Sequence, residues 1–373
     1  MHLAAPSGMP QLDELSAQLD RLAAFEAGPY PVVSLYLNLQ PNARGRSSFE
    51  PFLRKELGGR LDTYAETPER LSLQHDARRI EEYLDTVERS ANGMAVFACD
   101  QANLWEAFQL AAPIETNRLC ISEQPHLYPL ARLLDEYRRY LVLLADTNQA
   151  RIFVFAVNAA ERKEHIERMK TKRHKSGGMS QARYRRHLAH YHQQHAAEIA
   201  EMITRTVRGE KIDQVIISGE HMMVTLLREQ LPKDVAERIV DVLKLNVHTP
   251  ESAIVDATIA AMRVQDAQTD RERVDALVGE YRANGLACVG LEATARALAA
   301  GQVDELVIAA SPDGIAGAKL RTAGAEDNRT AAEQAADGLI TSARNTSAAI
   351  RFIEDPSIAA TIRGVGAFLR FKS

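Results

Sequence analysis

A multidomain α/β architecture, laid out as three successive α/β segments, is the fold class this sequence predicts, and three observations lead to it. Short apolar, β-branched and aromatic runs bounded by Gly or Pro recur along the chain, as buried strands require. Between them lie longer stretches whose apolar residues return at helical spacing. At 373 residues, the chain is also too long for one ordinary core.

In the first segment, to about residue 135, PVVSLYLNL (31–39) and GMAVFAC (93–99) read as strands. RLSLQHDARRIEEYLDTVERS between them reads as a helix. The second segment opens at RRYLVLLADTNQARIFVFAV (138–157), where two apolar runs flank the polar DTNQA as in a β-hairpin. A polar strand near 160–167, a basic loop and a long helix from about Gln181 to Thr206 are expected next. DQVIISGEH (213–221) reads as a buried strand ending in a glycine turn that feeds another helix. One long helical pattern, about 250–285, ends in Asn284-Gly285, a pair suited to a helix C-terminus, and connects to the third segment. There GLEATARALAAG predicts a helix and VDELVIAA a strand. A Gly-rich loop, a helix near 328–345 and the strands AAIRFIED and GVGAFLRF complete it.

Apolar residues at 46% and charged residues at 25% are the composition of a globular protein in water. No run of about 18 apolar residues occurs, so no membrane span is expected. MHLAAPSGMPQLDEL has no basic stretch followed by an apolar one, so no secretory signal is expected, and the location expected is cytoplasmic. Cys99, Cys120 and Cys288 are far apart in apolar surroundings and read as buried thiols, not as a disulfide frame or a zinc ribbon. A formal net charge of −5 gives no global reason to bind nucleic acid, so any such binding must be local.

One stretch stands against that balance: KTKRHKSGGMSQARYRRHLAHYHQQH, Lys170 to His195. From Arg168 to Arg186 there are eight Lys or Arg residues and no acid. Like charges at this density repel one another, and contact with phosphates would offset that cost by releasing counterions. Gly177 and Gly178 allow positive φ and close backbone approach to a ligand. A solvated basic loop with a Gly-Gly turn explains the same residues. The helix after it carries Arg183, Arg185, Arg186, His187, His190, His192 and His195, with Tyr184 and Tyr191 interleaved. Bases stack on such planes, which suits RNA. A metal reading competes through the i,i+3 pairs His187/His190 and His192/His195, but the helix lacks the i,i+4 histidines and intervening Glu of zinc hydrolases. The histidines are therefore expected along a wet helix face or against RNA, with no metal and no cofactor.

GGMSQARYRRH resembles the Gly-Gly-Gln loop and following helix of the archaeo-eukaryotic class-1 release factors, in which Arg and then an aromatic follow, as Arg183 and Tyr184 do here. DQVIISGEH, ACVGLEATARALAAGQVDELVIA and IRGVGAFLRF resemble further stretches of that family in the same order, so the likeness spans about 138–373. It is similar above all to the bacterial members, relatives of Pelota and of the hibernation factor Balon. The resemblance implies an N-terminal domain over 1–135 equivalent to the decoding domain. It also implies an RNase H-like domain over 136–270 carrying the loop, and a ribosomal-protein-like α/β sandwich over 271–373 that docks a translational GTPase such as EF-Tu. It places Gly177, Gly178 and Met179 at the peptidyl transferase centre, with Lys170, Lys172, Arg173, Lys175, Arg183, Tyr184, Arg185 and Arg186 on ribosomal RNA.

The sequence departs from the family at two places. Met179 stands where the family has Gln, so the side-chain amide is missing, and the nearest one is two residues on, at Gln181. Hydrolysis of the peptidyl-tRNA ester needs a placed water and donors to the oxyanion, and a thioether offers neither. The first segment lacks the Asn-Ile-Lys-Ser and Tyr-x-Cys-x-x-x-Phe elements of stop-codon readers. QPNARGRSSFEPF there reads as a basic loop suited to phosphates or as an ordinary polar loop. Two functions follow as expectations. One is a monomeric, codon-independent factor in the ribosomal A site, acting in hibernation, protection or the stalling response. The other is a peptidyl-tRNA or aminoacyl-tRNA hydrolase in rescue or termination. An RNA-binding protein unrelated to the ribosome is a third.

Overall fold

The computed structural model describes residues 12–41, 49–61, 67–86, 91–110, 114–136, 139–156, 159–167, 180–319 and 327–372. The chain divides into two compact units, one built around 138–266 and the other from the described residues before and after it.

The first part of the split unit runs α1 (Leu12–Ala23), β1 (Val32–Asn38), α2 (Phe49–Leu61), α3 (Pro68–Thr86) and β2 (Gly93–Cys99). A 3₁₀ turn (Asp100–Ala102), β3 (Leu104–Leu110), β4 (Arg118–Ser122) and α4 (Tyr128–Glu136) follow. The strands form an antiparallel sheet in the order β3-β2-β1-β4. The two runs read as strands are its central pair, and every residue of β2 is buried. Leu35, Leu37, Met94 and Val96 meet Leu53, Leu57, Leu73 and Ile80 of α2 and α3 in one core. The stretch read as the loop QPNARGRSSFEPF is only partly a loop. Asn42 to Arg46 lie outside the described residues, and from Phe49, a core residue, the chain is already α2.

The central unit runs β5 (Tyr140–Ala145), β6 (Gln149–Ala156), β7 (Ala159–Glu167), α5 (Ser180–Gly209) and β8 (Gln214–Gly219). It continues through α6 (His221–Gln230), α7 (Lys233–Ala236), β9 (Ile239–Leu243) and the first part of α8 (Glu251–Arg282). Its sheet has the order β7-β6-β5-β8-β9, with β5, β8 and β9 parallel and β6 antiparallel to its neighbours, which is RNase H-like topology. The expected hairpin is β5–β6, closed by Asp146, whose Oδ1 accepts from the Asn148 and Gln149 amides at 2.7 and 2.8 Å. YLVLLA is apolar at every position because both faces of β5 are covered. Leu141 and Leu143 face a core with Ile199, Ile203 and Met223, whereas Tyr140, Val142 and Leu144 face one with Ile254 and Met262.

Beyond residue 266, α8 passes into the split unit, where β10 (Ala287–Val289), α9 (Leu291–Ala299) and β11 (Val303–Ala309) follow. A 3₁₀ turn (Pro312–Gly314), α10 (Ala331–Asn345), β12 (Ala349–Ile353), α11 (Pro356–Thr361) and β13 (Val365–Leu369) complete the chain. The sheet order is β10-β13-β11-β12, with β11 and β12 parallel. The expected Asn284-Gly285 stop is a Schellman cap: Asn284 has φ 55°, its amide donates to Tyr281 O at 3.1 Å, and that of Gly285 donates to Glu280 O at 2.7 Å.

The first and third segments interlock through buried polar groups. His126 Nδ1 lies 2.7 Å from Asp337 Oδ2, and the Tyr128 amide donates to Asp337 Oδ1 at 2.9 Å. Arg329 bridges Asp337 and Asp327 at 2.8 and 2.7 Å. Burial pushes the Asp337 carboxyl up, but His126 and Arg329 outweigh this and hold it below the usual carboxylate range. The Asn328 side chain donates to Leu119 O at 2.7 Å and accepts from the Ile121 amide at 3.3 Å, pairing with the outer rim of β4. Among the described residues, no helix is long and apolar enough to cross a membrane.

Candidate nucleic-acid interface

The basic stretch joins the end of β7 to the start of α5. In the register of the sheet, Glu167 at the end of β7 lies opposite Gln149, so the chain leaves from the end where β5 and β8 finish. That end is tightly built. Ser218 Oγ donates to Leu243 O at 2.8 Å, and Gly219 (φ 150°) lies so near Ala145 O that an added Cβ would sit 1.9 Å from it. The glycine in DQVIISGEH is therefore required by this close approach.

The length of α5 sets the geometry of the site. Thirty residues of helix span about 45 Å, whereas a six-residue strand spans only about 20 Å. The helix is therefore longer than the strand it packs on. From His195 onward the helix docks on it through His195, Ala196, Ile199, Ala200, Ile203 and Val207, the i, i+3, i+4 stripe of a core-facing helix. Before His195, none of the residues from Arg186 to Gln194 is buried. The nine residues from Arg186 to Gln194, about 13 Å of helix, thus carry no fully buried side chain.

Gln181, Arg183, Tyr184 and Arg185 occupy the opening turns of this helix, and Arg186 follows as an exposed residue. His187 and His190 are exposed and His192 is half-buried. The Gln194 amide lies 3.1 Å from His190 Nε2, and the Tyr191 and His192 rings meet edge-on at 6.1 Å between centroids. Spacings of four, three and four residues put Arg183, His187, His190 and Gln194 along one face of the helix. Lys170, Lys172, Arg173, Lys175, Gly177, Gly178 and Met179 lie outside the described residues.

The expectation that the helix histidines share a wet face fails at His195, which is fully buried in the core with Ala196 and Ile199. The helical period turns His195 inward and puts His192, three residues earlier, half-buried on the same side, so only His187 and His190 are exposed. Among the described residues, no group of three or more His, Cys, Asp or Glu could hold a metal ion. Sequence reasoning missed this uneven burial of the helix. Its signal was available: the wholly apolar i, i+3, i+4 stripe begins only at Ala196, and before it the same face mixes Leu188 and Tyr191 with His192 and His195.

Residues 125–263 match the family model described as bacterial archaeo-eukaryotic release factor family 10. No curated protein matches the chain. Among solved structures it is similar to an archaeal translation termination factor, aRF1, at 15% identity and a TM-score of 0.28, covering 97% of this chain and 99% of that one. It is also similar to Pelota of Archaeoglobus fulgidus at 14% identity and a TM-score of 0.35, covering 98% and 94%. The translation termination-like factor Dom34 of S. cerevisiae aligns at 9% identity and a TM-score of 0.44, over 75% of this chain and 80% of that one. Through residues 125–263, the part that contains the basic loop and the helix behind it, the chain is similar to the bacterial archaeo-eukaryotic release factors.

Proposed function

We propose that this protein is a translation factor that binds the ribosome. It would occupy the A site independently of the codon and carry Gly177-Gly178-Met179 toward the peptidyl transferase centre. The observation that supports this reading best is the family match, which covers the basic loop together with the helix behind it. Eight basic residues and no acid from Arg168 to Arg186, five before α5 and three on its opening turns, suit a partner made of phosphates. Met179 removes the side-chain amide that ester hydrolysis would use, which favours occupancy of idle or stalled ribosomes, in hibernation or the stalling response, over peptide release. In this reading the three functional domains are 1–135, 136–270 and 271–373. The last recruits a translational GTPase such as EF-Tu, and the protein acts as a cytoplasmic monomer. Co-sedimentation with ribosomes, followed by imaging of the occupied site, tests it. Neutralising Lys172, Arg173 and Lys175 should weaken association and flatten its salt dependence, and indifference to those changes would reduce the loop to a solvated face.

A second reading, hydrolysis of peptidyl-tRNA, is favoured by the retained Gly177-Gly178 pair and by the amide of Gln181. Robust peptide release by the unaltered protein, lost in Gln181→Ala, would establish it.

A further inference from the structure

We infer that an RNA strand lies along one face of α5, against His187, His190, Gln193 and Gln194, and that this contact stops at Glu201. The inference rests on the reading of the protein as a ribosome-binding factor and adds the face used and its limit. At 3.6 residues per turn, Arg186, His187, His190, Gln193, Gln194 and Ala197 fall within an arc of about 120°. All six are exposed. Leu188, Tyr191 and His192 lie on the other side, half-buried, with His195 in the core. The Tyr191 ring already meets that of His192 edge-on at 6.1 Å, so the exposed face offers no aromatic plane for a base. What it offers is hydrogen bonding to phosphate and ribose.

The charge pattern along α5 favours RNA and sets the limit. A merely solvated helix face mixes both signs, as the second half does with Glu198, Glu201, Arg205 and Arg208. The first half does not: no acid occurs on α5 before Glu198. Glu201 is exposed on the same arc, two turns beyond Gln194, where a carboxylate would repel the next phosphate. Between Arg186 and that point the face carries imidazoles, amides and the small Ala197. A side-chain amide both donates and accepts, as does the ribose 2′-hydroxyl that marks RNA. The Gln194 amide nitrogen lies 3.1 Å from His190 Nε2. An amide N–H only donates, so Nε2 accepts and the ring keeps its Nδ1–H for an acceptor such as a phosphate oxygen.

The test is the affinity of the full-length protein for purified ribosomes, in magnesium buffer over about 50 to 200 mM salt. Gln194→Lys and Glu201→Gln each raise the charge of α5 by one. The first lies inside the proposed contact and the second about 10 Å further along the helix, a Debye length at 0.1 M salt. Gln194→Lys should tighten binding and steepen the slope of log affinity against log salt by about 0.7–0.9, one phosphate's worth. Glu201→Gln should leave the slope unchanged. The double variant Gln193→Ala, Gln194→Ala loses uncharged hydrogen bonds only, so affinity should fall about tenfold at an unchanged slope. All three positions are exposed, so the core is kept in every variant. An unaltered slope in Gln194→Lys, equal steepening in Glu201→Gln, or full affinity in the double alanine variant overturns this inference and leaves the ribosome-binding reading standing. Absence of ribosome binding by the unaltered protein overturns that reading itself.

Discussion

At the residue scale, Asp76 is the side chain whose environment fits it least. It is 1% exposed on α3, beneath the turn at Asp100, and its Oδ2 has no hydrogen-bond partner among the described residues. Burial and then the charge of Asp100 push its carboxyl up to about 7, against weaker help from the Asp100 amide, Arg79 and His75. Unfolded, the same group ionises near pH 4, so between about pH 4 and 7 the unfolded chain sheds a proton that the folded one keeps. Stability therefore falls as pH rises through that window, by up to about 4 kcal/mol, and stays low above it. Asp76→Asn should raise the melting temperature at pH 8 and leave it nearly unchanged at pH 4; equal effects at both would refute this account. Met179 poses a chemical question of the same scale. Met179→Gln restores the missing amide, and peptide release from ribosome-bound peptidyl-tRNA should rise above that of the unaltered protein.

At the element scale, α5 separates stability from binding along one helix. Ile203→Ala removes a fully buried side chain from the core of the central unit and should cost about 2–5 kcal/mol in urea unfolding. His187→Gln, sixteen residues earlier and exposed, should stay within about 0.5 kcal/mol. Elements were legible in the sequence where a physical signal was local. β1, β2, β5, β6 and β8 are largely apolar runs packed into the cores, and α8 ends at the expected Asn284-Gly285. The expectation missed β9, whose IVDVL is only partly buried and carries the exposed Asp241 at an edge. It also missed α2, whose apolar face is interrupted by Gly58-Gly59 and preceded by polar residues. Of the candidate site, the sequence pattern supplied the charge and the helix. How much of the helix is covered depends on where the sheet stops, which is a tertiary fact.

At the scale of the whole molecule, the first and third segments share one unit, and its stability rests on charges as well as apolar contact. Removing Asp337 leaves Arg329 and His126 facing a buried gap, so Asp337→Ala should destabilise the split unit by about 3–5 kcal/mol while the central unit keeps its own transition. Binding should be indifferent to the codon. Phosphate contacts carry no base identity, and the affinity for ribosomes with a sense, a stop or no codon in the A site should agree within tenfold, about 1.4 kcal/mol.

The buried pair His126–Asp337 also has a consequence for the chain while it is being made. Its members are 211 residues apart, and Asn328, which pairs with the rim of β4, comes nearly as late. At about 5–20 residues per second, the first segment waits on the order of 10–40 s outside the ribosome before its partners emerge. During that interval β4 presents an unpaired rim and His126 lacks its carboxylate, whereas residues 138–266 are already complete. The nascent chain thus passes through a stage with a finished middle and an unfinished beginning. Products cut short after 266 should accumulate as substrates for chaperones and proteases, with only the central unit surviving digestion.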